Sequence, residues 1–153
     1  MKSTAQALNQ FVGSFGLPAY TVQSVPKDVT VPYLVYPLIE PRWNEKATWY
    51  IQGWYRTTSN AALAEKADQI IKEIGEGITL QTTSGYLVIY PDTPLVQINV
   101  DGDYRSFYIN LSINVYQMPG YYPETPASET PAPSEEPGEN ENNEPGADPE
   151  EGE

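Results

Sequence analysis

Residues 47–74, ATWYIQGWYRTTSNAALAEKADQIIKEI, change hydrophobic period once, and the rest of the chain is arranged around that change. The first part alternates as a strand does. Trp49, Ile51, Gly53 and Tyr55 point to one side, and Tyr50, Gln52, Trp54 and Arg56 to the other. The second part repeats as a helix does, with Leu63, Ala67, Ile70, Ile71 and Ile74 on one stripe and charged residues outside it. Between them Thr57-Thr58-Ser59-Asn60 supplies capping residues, Ser59 being the expected cap, and Gly75 and Gly77 end the helix. Both faces of the strand carry large aromatic rings. Cover is therefore expected on both, by helices on one side and by a partner on the other.

The same patterns place the remaining elements. Residues 3–15 carry an apolar stripe of Leu8, Phe11, Val12 and Phe15; Ser3 with Gln6 forms a capping-box pair, and Gly16 and Pro18 stop the helix. Residues 19–25 read as a strand. Residues 31–39 have strand composition, but Pro32 and Pro37 leave only residues 33–36 free to pair, which suggests an edge. Residues 40–46 form a polar loop holding Trp43. Residues 78–83 and 86–90 form a hairpin across Ser84-Gly85, and Pro91-Asp92-Thr93-Pro94 is expected to break the chain. Residues 95–100 make another strand, with Asp101-Gly102 as a type I′ turn signal. Residues 104–118 alternate throughout: Phe107, Ile109, Leu111, Ile113 and Val115 on one side, Ser106, Tyr108, Asn110, Ser112, Asn114 and Tyr116 on the other. This strand is expected to be the central or longest one.

Composition then divides the chain in two. Residues 1–118 hold all 8 Lys and Arg against 10 of the 21 Asp and Glu, a net of −2. Residues 119–153 hold the other 11 acids and no base, a net of −11, along with 8 of the 15 Pro and no aliphatic residue larger than Ala. Such a segment cannot bury enough apolar surface to offset its ordering entropy, so disorder is expected. The elements add up to an α+β domain over residues 1–118, with a mixed, mostly antiparallel sheet of about five to six strands and two helices packed on one face. A disordered acidic tail over residues 119–153 follows.

Several chemistries are excluded by composition. The chain has no Cys and no His, which removes disulfides, Cys-based zinc sites and Ser–His or Cys–His catalysis within it. The near-neutral first part lacks the clustered cations that phosphate contacts require, so no nucleic-acid specificity is expected. No signal peptide and no membrane span is expected, because no apolar run approaches the length of either. Asp101-Gly102-Asp103 lacks the later ligands of a calcium loop and reads as a turn. Gly75-x-Gly77 follows a helix rather than a strand and reads as a helix end, not a phosphate loop. The acids of the first part sit on turns and on a helix's solvent side, not as a pair in a cleft, so no enzyme, cofactor or metal is expected. The aromatic residues are what remain. Tyr and Trp tolerate both burial and a wet rim, which suits a protein interface or, alternatively, a glycan- or peptide-binding face.

The order of motifs carries a resemblance. A helix ending in FGLPAY, a VP turn into PYLVY, a strand and helix in WYRTTSNAALAEKADQI, then GYLVIYPDTPLVQ and YRSFYINLSINVY resemble the tail terminator (tail completion) proteins of long-tailed bacteriophages, often called minor capsid proteins. The resemblance spans residues 5–118. It implies a virion protein of the phage neck, made in the host cytoplasm, with no active site. Such a protein forms a ring, usually a hexamer, that caps the tail tube protein, ends tube polymerisation and meets the head connector or stopper protein. Another head–tail adaptor or minor capsid component is a further alternative, beside the aromatic-faced binding module. Interface residues are expected at Trp43, Tyr50, Trp54, Arg56, Pro91, Asp92, Tyr108 and Tyr116. If the acidic tail does not pack, deleting residues 123–153 leaves the melting temperature of the domain almost unchanged, which a calorimetric scan of both chains checks.

Overall fold

The computed structural model describes residues 2–117; the acidic segment expected to be disordered lies outside the described residues. The fold is α+β. Helix α1 (Thr4–Gly13) opens with the reciprocal pair expected of its sequence. The Gln6 N–H donates to Ser3 Oγ at 3.3 Å and the Ser3 N–H donates to Gln6 Oε1 at 3.0 Å, satisfying two donors that the helix itself cannot. The helix stops at Gly13 rather than reaching Phe15. Ser14 turns its N–H and its hydroxyl back onto the last carbonyls, and Gly16 then takes a φ of +80°. Phe15 remains in the core, edge-on to Phe11 at 5.1 Å.

Strand β1 (Ala19–Thr21) is shorter than expected, because Val22–Ser24 winds into one 3-10 turn in which the Thr21 and Ser24 hydroxyls meet at 2.7 Å. Strand β2 (Tyr33–Tyr36) occupies the four residues its prolines leave. It is not an edge strand: β1 runs parallel along its outer side, and β3 (Lys46–Arg56) runs antiparallel along its inner side. Helix α2 (Ala61–Ile74) follows, with Asn60 rather than Ser59 in the capping position. Asn60 makes no cap bond because its side-chain oxygen accepts from Arg105 instead, while Ser59 Oγ accepts from the Ala61 N–H at 3.2 Å. Gly75, at φ +57°, closes the helix.

Strands β4 (Ile78–Thr82) and β5 (Gly85–Asp101) form the expected hairpin, but around Thr83-Ser84. Gly85 belongs to the ladder, where any Cβ would strike the Tyr116 carbonyl of β6 (Tyr104–Gln117). The Pro91–Pro94 stretch does not break the chain. β5 passes through it as a bulge: Pro91 faces Leu111 and Val96 faces Ile109, so residues 92–95 stand opposite Asn110 alone. β5 is thus the longest strand and β6 the central one. The loop to β6 is Gly102-Asp103, with positive φ at Gly102 only, the type II′ pattern rather than the expected type I′.

The sheet order is β1-β2-β3-β6-β5-β4, antiparallel throughout except for β1 and β2. Both helices lie on one face, and a single cluster joins their stripes to that face. Leu63, Ile70 and Ile74 from α2 are fully or almost fully buried there, a contribution of about 2 kcal/mol each. Helix α1 touches both β1 and β4, the strands at opposite ends of the order, so the sheet curls around the helices. Inside this curl most buried polar atoms are paired, Thr82 Oγ1 being the exception among the described residues. Trp49 Nε1 donates to the Pro37 carbonyl at 2.8 Å, Tyr36 OH to Asn9 Oδ1 at 3.0 Å, and Lys66 Nζ to the Phe15 carbonyl at 2.9 Å.

Gly53 of β3 lies directly under the Phe107 ring of β6, and a Cβ at that position would overlap the ring. Gly53→Ala is therefore expected to destabilise the domain by about 1–3 kcal/mol, as overpacking does. Urea denaturation checks this as a lower midpoint at an unchanged slope.

Candidate functional site

Strand alternation sends nearly every tyrosine to the face without helices. Of those among the described residues, only Tyr36 and Tyr55 face the core; Tyr20, Tyr33, Tyr50, Tyr86, Tyr90, Tyr104, Tyr108 and Tyr116 share the other face with Trp54. The rings associate in pairs across the strands. Tyr50 and Tyr108 are 5.3 Å apart, Tyr20 and Tyr33 6.0 Å, and Tyr86 stacks on Tyr116 at 5.1 Å and 23°. Between the half-buried rings, the shorter polar side chains of Gln52, Ser106 and Ser112 are buried. Burial pushes the Tyr33 and Tyr108 hydroxyls up from their ordinary value, with smaller contributions from Tyr104 and Tyr50 respectively. These two phenols stay neutral at physiological pH, and the charges on this face come from Lys46, Arg56 and the Asp92 fastened to it.

The bulge of β5 is fastened to this face. Ser112 Oγ donates to Asp92 Oδ2 at 2.6 Å, the Thr93 N–H donates to Asp92 Oδ1 at 2.9 Å, and Asn110 Nδ2 donates to the Pro94 carbonyl at 2.6 Å. Lys46 Nζ lies 3.5 Å from Asp92 and 5.8 Å from the centre of the Tyr90 ring. The Ser112 hydroxyl, then the Thr93 N–H, hold the Asp92 carboxyl below the usual carboxylate range, with Lys46 adding a smaller pull.

Beyond the bulge the sheet has an open side. β4 pairs with β5 only as far as Ile89, so among the described residues nothing pairs with the outer side of residues 95–101. Val96, Ile98 and Val100 point to the helix side here but outrun the helices. Val96 is partly buried, while Ile98 is 38% and Val100 62% exposed. Proteins usually blunt such edges with Lys, Pro or a bulge; here Pro94 and the bulge end just before Val96, and residues 96–101 contain neither residue and no irregularity. Tyr104, 43% exposed, continues the apolar surface around the tip of the hairpin.

The structure gathers most of the residues singled out from sequence. Tyr50, Trp54, Arg56, Tyr108 and Tyr116 share the tyrosine face, and Pro91 and Asp92 belong to the bulge pinned beside it. Arg56 lies at the exposed end of its strand, 3.7 Å from Asp103, a solvated pair contributing at most about 1 kcal/mol. Trp43 stands apart, in a loop bridged to Val115. Tyr20, Tyr33, Tyr86 and Tyr90 join the face without having been singled out, although Tyr86-Val88-Tyr90 alternates visibly. The free edge is not legible in sequence either, since its exposure depends on where β4 ends. Among the described residues there is no group of three acids that could hold a metal ion, and no helix is long and apolar enough to cross a membrane. Comparison with protein-family models and with curated proteins gives no match to this chain.

A carboxyl held below its ordinary pKa stabilises the fold above that ordinary value, about 4, and the contribution is lost as pH falls through the lower folded value. Ser112→Ala should raise the Asp92 pKa toward the ordinary range, and Lys46→Met should raise it less. Carboxyl-carbon NMR titration of the three chains reads both shifts directly.

Proposed function

We propose that this protein is a structural subunit of a phage neck, a tail terminator that closes into a ring on the tail tube, ends its polymerisation and joins tail to head. The observation that carries this reading is a broad, tyrosine-rich face next to an apolar strand edge that no described residue pairs with. Together they form a surface suited to cover by other protein. Interfaces are enriched in Tyr and Trp for that reason, and an edge strand offers backbone donors and acceptors in register to a neighbour. The order of motifs from FGLPAY to YINLSINVY supplies the specific role. Ring closure requires a heterologous contact, one patch of a subunit meeting a different patch of the next, repeated until the rotation closes. The family the sequence resembles does this with about six copies. Termination is then geometric: one ring face complements the tube, and the other offers no template for a further ring.

One observation favours a second reading. The stacked, half-buried Tyr86 and Tyr116 rings offer an aromatic platform against which a sugar ring can pack, so a glycan-binding module is the runner-up.

Negative-stain microscopy and light scattering of the purified protein should show rings that cap preformed tail tubes. Val100→Lys, at a position 62% exposed, should leave the melting temperature within a few degrees while abolishing ring formation. A strictly monomeric wild-type protein that fails to cap tubes overturns the ring, and selective hits on a glycan array favour the platform.

A further inference from the structure

Trp43 is the aromatic residue that the tyrosine face does not account for. Its loop is held from both ends. Trp43 bridges Val115 in parallel, the Asn44 N–H donates to the Val115 carbonyl at 2.8 Å, and the Glu45 N–H donates to the Arg42 carbonyl at 3.3 Å. Asn44 adopts the left-handed φ of +60°, which Asn tolerates better than most residues. Nearby, the Thr83 N–H donates to the Lys2 carbonyl at 2.7 Å and fixes the start of the chain against the β4–β5 loop. An open groove of about 900 Å³ is lined by both pinned segments, including Pro41, Trp43, Ser3, Thr83 and Ser84, and by Val115. Trp43 is 44% exposed in this rigid setting. A large ring held still and left wet marks a docking position rather than a solvated loop tip.

What could fill the groove follows from where β6 ends. The strand finishes at Gln117, two residues past the Val115 that lines the groove. The next six residues, Met118-Pro119-Gly120-Tyr121-Tyr122-Pro123, carry no charge, and the first carboxylate comes only at Glu124. We propose that residues 118–123 of the same chain occupy the groove, packing their proline and tyrosine rings against Trp43. Fully extended, six residues reach roughly 20 Å, enough to run the length of such a groove. Prolines bias the segment toward the extended polyproline conformation that aromatic-walled grooves accept at low entropic cost. Charge selects the stretch. Glu40 and Glu45 line the groove and would repel the acidic residues further on, whereas these six residues meet no repulsion. Covalent attachment two residues away gives this segment a far higher effective concentration than any copy in solution. The groove thereby anchors residues 118–123. Docking of the tail base does not depend on ring formation.

Acrylamide quenching of tryptophan fluorescence in the full 153-residue chain tests it, with Trp49 buried as an internal reference. Tyr121→Ser with Tyr122→Ser should raise the quenching of Trp43 about two-fold and shift its emission to the red, as an indole does on losing aromatic cover. In a Trp43→Phe background the same pair of substitutions should change nothing. Equal quenching with and without the two tyrosines overturns the proposal, as does a response that persists in the Trp43→Phe chain. Protection that vanishes on dilution assigns the groove to a second copy's segment and overturns docking within one chain. Should Trp43→Phe unfold the domain, the indole N–H resonance of Trp43 in the otherwise unaltered chain decides the matter: a shift on substituting the tyrosines supports docking, and an unmoved resonance overturns it.

Discussion

The pairing of β3 with β6 is the constraint on which the rest of the molecule depends. Their ladder runs unbroken from Lys46 opposite Asn114 to Arg56 opposite Tyr104. It places Trp49, Ile51 and Gly53 beside Leu111, Ile109 and Phe107, and it puts Tyr50 beside Asn110 on the other side. A slip of one residue would send every apolar side chain of one strand to the wrong face. The Phe107 ring over Gly53 adds a steric lock to the hydrophobic one, because no other residue of β3 could sit under it. Once this register is set, the helices have one face to cover and the tyrosines have the other.

The two faces are built for different neighbours. Toward the helices, Trp49, Ile51, Leu111 and Ile113 meet Leu8, Leu63 and Ile70 with almost no solvent between them. On the tyrosine face, paired rings shield buried Ser112, Ser106 and Gln52 yet remain partly wet themselves. The bulge at residues 92–95 separates the two regimes within β5. From Gly85 to Ile89 the strand is paired on both sides; beyond the bulge, Ile98 and Val100 run past the helices, and among the described residues nothing pairs with their outer edge. A single chain therefore displays a complete core and, along this stretch of β5, an apolar surface left open.

Much of this was legible along the chain. The Ser3–Gln6 capping box, the stripe of α2, the four-residue limit on β2 and the alternation of β6 depend on neighbours in sequence, and each is found where its pattern places it. The misreadings share a cause. Pro91 and Pro94 look like chain breakers because proline cannot donate to a ladder, but Ser112 and Asn110, far along the chain, supply side-chain bonds that hold the segment in the sheet. Ser59 looks like the cap, and its hydroxyl does accept from the Ala61 N–H, but Asn60 takes the capping position with its side chain held by Arg105 from a distant strand. β2 looks like an edge because nothing in its own sequence reveals that β1 will return beside it in parallel.

Periodicity and composition by themselves determined the class of the fold, the faces of its strands and helices, and the absence of Cys and His chemistry. These rest on local geometry and on which atoms are present. Tertiary structure alone decided which strand is central, where β4 stops protecting β5, and that tyrosines from β1, β2, β3, β5 and β6 meet on one surface. Those facts arise from pairings between residues far apart in the chain, whose energies no local window contains. Trp43 belongs to both accounts: its oddity in a polar loop was visible at once, but the groove beside it exists only because Val115 and Thr83 are brought there by the curled sheet.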